Sequence, residues 1–235
     1  MTIESLDRRG LLAAATLMTA AAVASTSRAQ TPAPAPVAVF APQPVARPFD
    51  PAAVPGLSAA LLNSHFDNNY TSAVTRLRAI ETQIAGLDPA TAPNFTLNGL
   101  KREELIAWNS MILHELYFSS LGAPNRPGAA LARQIEKDFG SDARWRAQFS
   151  AMGKALGGGS GWVLLNWSHR DKRLVNQWAA DHTMTLAGGT PILVLDMYEH
   201  AYAIDFGSRA PAYVDAFMGA TNWTAATAAF AKASA

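Results

Sequence analysis

The helical period that governs the first half of this chain stops at Gly122, and a different pattern takes over beyond it. From Leu57 to about Ala85, Leu61, Leu62, Val74, Leu77, Ile80 and Ile84 recur at the three-and-four spacing of an amphipathic helix, and Asp88-Pro89 ends it. A second such stretch runs from about Glu103 to Leu121 and closes at Gly122. Two successive amphipathic helices predict an antiparallel hairpin. After Gly122 come two short helical segments, Ala129–Phe139 and Ala143–Ala155, parted by Gly140-Ser141-Asp142. Trp162–Trp167 and Leu174–Trp178 then read as two strands joined by a turn at Arg170–Arg173, and Pro191–Leu195 is an apolar run sized for a buried strand. Helix is expected again to about Ile204, from near Ala212 through Phe217, and after Trp223. The patterns predict an α+β chain: a helical hairpin domain over 56–122, then a domain over 123–235 with a small antiparallel sheet flanked by helices.

Ahead of residue 56 the chain is not patterned as a fold. Asp7-Arg8-Arg9-Gly10-Leu11-Leu12 precedes an alanine-rich apolar run to Ala24, and Ser27-Arg28-Ala29 places small residues where a signal peptidase reads. Residues 1–29 are therefore predicted to be an export leader, with paired arginines pointing to the twin-arginine route and a periplasmic or secreted location. The apolar run is short for a membrane span, so no membrane association is expected after cleavage. Residues 30–55 hold eight of the 14 prolines, which predicts an extended, solvated linker, free to lie along the folded domain from Phe49-Asp50-Pro51 onward. The leader contains three of the 19 basic and two of the 18 acidic residues, so its removal leaves sixteen of each and a formal charge of zero. No nucleic-acid partner is expected from that balance.

The chain has no cysteine, which excludes disulfides, thiolate metal sites and cysteine nucleophiles. Its five histidines, at 65, 114, 169, 182 and 200, are the candidate soft ligands. Asp196 and His200 stand four apart just after an apolar strand, where a turn would present both to one ion. The same pair also reads as a capping aspartate with a packed histidine, and spacing leaves both readings open. His114, in Ser110-Met-Ile-Leu-His114, and His65, in Leu61-Leu-Asn-Ser-His65, lie among apolar neighbours and read singly as satisfied core histidines. Taken together, three histidines and one carboxylate suit a redox metal as well as zinc. His169, beside charges at a turn, reads as exposed. The run Gly157–Gly161 lacks the lysine and spacing of a phosphate loop.

Asp196-Met-Tyr-Glu-His-Ala-Tyr202, followed by Pro211-Ala-Tyr213 and Asn222-Trp223, resembles the C-terminal signature of iron/manganese superoxide dismutases. Phe139-Gly-Ser141, Gly159-Ser-Gly-Trp162 and Thr190-Pro-Ile-Leu193 match that family in order, and the resemblance spans roughly residues 57–223. It implies that His65, His114, Asp196 and His200 hold one iron or manganese ion per chain, with superoxide as substrate. The ion would alternately take an electron from one superoxide and give it to a second, releasing oxygen and hydrogen peroxide. Glu199 matches a glutamate that crosses a homodimer interface, Trp162 matches an aromatic wall of the pocket, and Tyr198 stands where a tryptophan is usual.

The departures from the family pattern surround the pocket. Ala73 stands where a gateway tyrosine is usual, Asn69 where a histidine is usual, and Ala203 where a second tyrosine is common. Tyr70 is the nearest phenol in sequence, but five residues of α-helix set it about 140° from His65. The family's solvent-holding glutamine is also missing from both of its usual places. Asp181-His182 occupies one place and Ser110 the other, so His182 is expected to replace it, the plainer reading being a histidine of a surface loop. Two further readings stand beside the dismutase: a metal-binding relative with little turnover, suggested by the lost gateway, and a zinc hydrolase, which lacks the His-Glu-x-x-His motif here.

Overall fold

The computed structural model describes residues 38–235. The predicted leader and the first part of the linker lie outside the described residues. No helix among the described residues is long and apolar enough to cross a membrane.

The helical hairpin forms, with one departure from regular α geometry. Helix α1 (Ala59–Ser64) starts at Ser58, whose Oγ accepts from the Leu61 N–H at 3.1 Å. It runs directly into a π-helical turn, His65–Tyr70, and then into α2 (Thr71–Ala85). The Thr71 N–H reaches back five residues to the Phe66 carbonyl. The Thr71 hydroxyl donates to the Asp67 carbonyl, which takes up an acceptor in the wider turn. Such turns insert one residue into a helix and recur at functional sites; this one begins at a buried histidine.

Helix α3 (Asn94–Ser119) begins nine residues before the expected Glu103. Its first turns, Asn94-Phe-Thr-Leu-Asn-Gly99, are poor helix formers, and Pro93 at the cap starts the helix despite them. Helices α2 and α3 pack together, with Arg76 and Glu103 paired across them.

The linker is not a solvated tether over its described part. Residues 38–50 carry no helix or strand, yet they lie against the hairpin. Phe40 stacks on Trp108 with ring centroids 4.8 Å apart. Arg47 donates to the Leu62 carbonyl at 3.1 Å and sits 4.4 Å over the Phe66 ring. The Val45 N–H donates to the Tyr70 hydroxyl at 2.6 Å, and that hydroxyl donates to Glu115 at 2.9 Å. Proline-rich chain suits this role, because it stays extended with few amide donors to satisfy.

Beyond Gly122, α4 (Ala129–Phe139) and α5 (Asp142–Ala155) form as expected. Strands β1 (Trp162–Ser168), β2 (Arg173–Ala179) and β3 (Gly189–Asp196) make an antiparallel sheet in the order β2-β1-β3. Strand β1 is central and buried along its whole length. Val163, Leu165 and Trp167 join the main core, while Trp162 and Leu164 face Leu113 of α3 and Val194 of β3 in a second cluster. The β1–β3 register shifts between Leu165 and Asn166, beside Pro191, which has no N–H to give the ladder. Gly161 enters β1 with φ +136°, and a Cβ there would lie 2.2 Å from the Ala179 carbonyl oxygen, so the backbones meet only because no side chain is present. A short turn at Glu199–Ala201, α6 (Ala203–Phe206), α7 (Ala210–Ala220) and α8 (Thr224–Ser234) complete the fold.

Candidate metal centre

Each half of the fold supplies two converging side chains. His65 opens the π-helical turn, His114 lies on α3, Asp196 ends β3, and His200 sits in the turn that follows. Asp196 Oδ2 lies 3.1 Å from His65 Nε2, 3.3 Å from His200 Nε2 and 3.6 Å from His114 Nε2. One ligand atom from each of the four lies within 4.8 Å of the other three. His65, His114 and Asp196 are buried, while His200 keeps 26% of its side chain exposed.

The orientations are set by neighbours. The Tyr198 N–H donates to Asp196 Oδ1 at 2.8 Å, and the buried Tyr213 hydroxyl donates to the Asp196 carbonyl at 2.8 Å. His114 Nδ1 donates to the Ser110 carbonyl at 2.6 Å, one helical turn back. That bond puts the ring proton on Nδ1 and leaves a lone pair on Nε2. His114 Nε2 is buried and has no hydrogen-bond partner among the described residues.

These groups fit an ion. Donors held about 2.0–2.2 Å from one ion, at angles near 90–120°, sit roughly 3.0–3.7 Å from each other, which is the spacing found around Asp196 Oδ2. A buried imidazole nitrogen with no partner is costly unless something takes its lone pair. Burial pushes the His65 and His114 imidazoles down, against the pull of Asp196, with His114 reaching about 3. Burial alone would raise the Asp196 carboxyl, but the His200 and His65 imidazoles together outweigh it and hold the group well below the usual carboxylate range. At neutral pH His65 and His114 are therefore neutral imidazoles and Asp196 is a carboxylate, the protonation state that metal ligands require.

A cavity of about 200 Å³ leads to this cluster. His114, His182 and His200 line its inner part, and Asn69, Ala73 and Ser110 line its walls, with exposed Arg76 beside them. Ala73, Asn69 and Ser110 thus stand where the departures from the family pattern place them, around the approach to the ligands. Ala203 is exposed and outside the lining.

His182, from the loop between β2 and β3, forms part of the same wall. The Trp162 indole N–H donates to His182 Nδ1 at 2.9 Å, and Asn109 donates to the His182 carbonyl at 2.5 Å. With Nδ1 accepting, the neutral ring carries its proton on Nε2. The ring stacks on Tyr198 with centroids 4.9 Å apart, and Tyr198 stacks on His200 at 5.4 Å. Trp162, His182 and Tyr198 therefore gather beside the ligands. Glu199 is exposed, and its carboxylate makes no hydrogen bond or ion pair among the described residues. His169 is bonded to Thr190 at 2.7 Å, away from the cluster. Tyr70 is buried against Glu115 and the linker and does not line the cavity. Sequence reasoning missed Tyr213 as a support of Asp196, although its place in Pro211-Ala-Tyr213 singled it out. It also missed Arg47, for which no signal existed.

Residues 127–229 match the family described as iron/manganese superoxide dismutases, C-terminal domain. The chain is 64% identical over 184 residues to the iron superoxide dismutase of Cupriavidus metallidurans, covering 78% of this chain and 93% of that protein. It is 32% identical over 186 residues to the iron superoxide dismutase of Aquifex pyrophilus, covering 76% and 86%. It is also 32% identical over 190 residues to a manganese superoxide dismutase of Halobacterium salinarum, covering 79% and 93%.

Proposed function

The chain belongs to the iron/manganese superoxide dismutase family, and from that premise we propose how its own residues serve the reaction. The protein is a superoxide dismutase that binds one iron or manganese ion. His65, His114, Asp196 and His200 are its metal ligands in this reading. The observation that carries it is the convergence of three imidazole nitrogens on one buried carboxylate oxygen at 3.1–3.6 Å. Iron is the working metal we favour, on the strength of the relative with 64% identity.

The bound ion supplies a one-electron couple that alternates between two oxidation states. Overall, two superoxide ions and two protons yield one oxygen and one hydrogen peroxide. The residues perform the rest. Asp196 and the three imidazoles hold the ion in a site closed on the core side by Tyr117, Tyr213 and Phe118. Asn69, Ala73 and Ser110 leave an approach wide enough for a diatomic anion, and Arg76 places positive charge beside it. His182 holds a proton at Nε2 in the wall of the cavity, in the role expected for the absent glutamine. Trp162 fixes the tautomer of His182 through Nδ1, and Tyr198 fixes its plane by stacking.

Export and homodimerisation belong to the same reading. The leader pattern over 1–29 supports a periplasmic or secreted enzyme, and exposed Glu199 beside His200 supports a two-fold contact between copies at that edge. Neither a nucleic-acid nor a membrane partner is proposed.

The test is superoxide dismutation per bound ion, on residues 30–235 loaded separately with iron and with manganese. Fast turnover with iron and slower turnover with manganese is the expected result. Tight binding of either ion without turnover would make the chain a metal-binding relative, and the open gate at Ala73 the first suspect.

A further inference from the structure

The loop that carries His182 joins β2 to β3 over residues 180–188 and has no helix or strand of its own. Such a segment does not by itself hold an imidazole in one place, so the bonds that tie it down decide where the ring stands. Most of them close the loop on itself or on β2. Asp181 Oδ1 accepts from the Thr183 N–H at 2.7 Å and from its hydroxyl at 2.6 Å. The Gln177 side chain donates to the Met184 carbonyl at 3.3 Å, and the Ala180 N–H donates to the Met184 sulfur at 3.2 Å. These bonds shape the loop but leave its distance from the metal ligands unset.

One bond reaches a helix that carries a ligand. Asn109 Nδ2 donates to the His182 carbonyl at 2.5 Å, the one hydrogen bond between this loop and α3 among the described residues. Asn109 stands one residue before Ser110 and five before His114 on that helix. The His114 and His182 rings lie with centroids 6.4 Å apart. His182 is therefore held at two ends. Asn109 fixes its backbone against α3, and the Trp162 indole fixes its Nδ1.

The residue type supports the same division of labour. Asparagine inside a helix is less favourable than alanine, because its short polar side chain competes for backbone groups. Here the side chain spans to another element instead of bonding back to α3. Alanine would suit the helix better; what the amide adds is the tie to the loop.

We propose that Asn109 is a positioning residue for the dismutase reaction, holding His182 in register with His114 so that the His182 ring keeps its place in the wall of the metal cavity. This rests on the reading of His182 as a working group of that wall. Asn109 does not line the cavity itself, so it acts through His182. Without the tie, the ring keeps its stack on Tyr198 and its bond to Trp162, but the loop is free to shift. A displacement of about 1 Å beside a reacting centre is enough to cost rate.

The experiment compares Asn109→Ala, Asn109→Asp, His182→Ala and the double variant Asn109→Ala with His182→Ala, each made in residues 30–235 and loaded with iron. Alanine removes the amide. Aspartate keeps its shape but sets a carboxylate oxygen, in place of a donor, against the His182 carbonyl. Both single Asn109 variants should lower dismutation roughly 3–10-fold with metal content unchanged. In the double variant turnover should fall no further than in His182→Ala, because the tie then has no ring to place. Full additivity, or wild-type turnover in the aspartate variant, would overturn the proposal. A second readout does not depend on turnover. Zinc is a diamagnetic ion that suits the same ligand set. In the zinc-loaded protein, the indole N–H resonance that moves most in His182→Ala belongs to Trp162, which loses its acceptor there. Asn109→Ala should move that same resonance by less, and an unmoved resonance would overturn the proposal whatever the turnover. Unchanged turnover in His182→Ala together with a moved resonance in Asn109→Ala would overturn the reading of His182 instead, while upholding Asn109 as the residue that places the ring.

Discussion

Replacing His182 with alanine removes a ring that touches Trp162, Tyr198 and the approach to His114 without touching the ligand set itself. Dismutation should fall by about 10–100-fold, the usual cost of losing a partner just outside a metal's ligands, while metal content stays near one ion per chain. His182→Gln should recover part of that loss, and unchanged turnover in the alanine variant would remove His182 from the mechanism. A second expectation concerns protons in the metal-free protein. His114 is held near 3 when folded and has an ordinary value near 6.5 when unfolded. Below pH 6.5 the unfolded chain binds a proton that the folded chain refuses, so stability present above that pH is lost as pH falls towards 3. Denaturant midpoints of the metal-free protein at pH 7.5, 6 and 5 should decrease in that order. The four candidate ligands, which the fold brings within 4.8 Å of one another, were legible in the sequence chiefly through the long motif around Asp196–His200, since spacing alone left a capping reading open. Arg47 was not legible at all, because its partners Leu62 and Phe66 are joined to it only by folding.

At the scale of elements, the strap of residues 38–50 and the π-helical turn form one unit. Arg47 and Tyr70 bind strap to turn from both sides, and the turn seats His65. Arg47→Ala should destabilise the protein by about 1–2 kcal/mol, from one charge-assisted hydrogen bond and one cation–π contact. Tyr70→Phe should cost about as much, because it strands the Val45 N–H and frees Glu115. Thermal unfolding of both variants with and without metal measures this, and midpoints equal to wild type would mean that the strap merely rests on the surface. The strands, α4 and α5 were readable from alternation and turn residues. The early start of α3 was not, because Asn94–Gly99 is helical by context rather than propensity. The extra residue in the His65–Tyr70 turn also had no sequence signature. A regular 3.6 period was the only available ruler, and it has no way to register a wider turn.

At the scale of the whole molecule, the candidate ion would join the two halves of the fold. His65 and His114 come from the hairpin, while Asp196 and His200 come from the sheet side. A lighter clasp connects the same halves where Asp205 accepts from the Ser58 N–H at 2.7 Å and from its hydroxyl at 2.6 Å. Chelation should therefore lower the thermal midpoint of the intact protein, since binding to the folded state alone adds stability by mass action. A midpoint insensitive to chelation would mean that the halves are held by their cores without help. The division into halves was plain from the change of period at Gly122, but the sharing of ligands between them required the fold. That sharing has an engineering consequence. Opening the backbone in the exposed segment near Pro124 would yield two fragments, each with two of four ligands and neither able to close the coordination alone. Their reassembly would then depend on the ion, and the cut enzyme would act as a split reporter whose signal reads free metal.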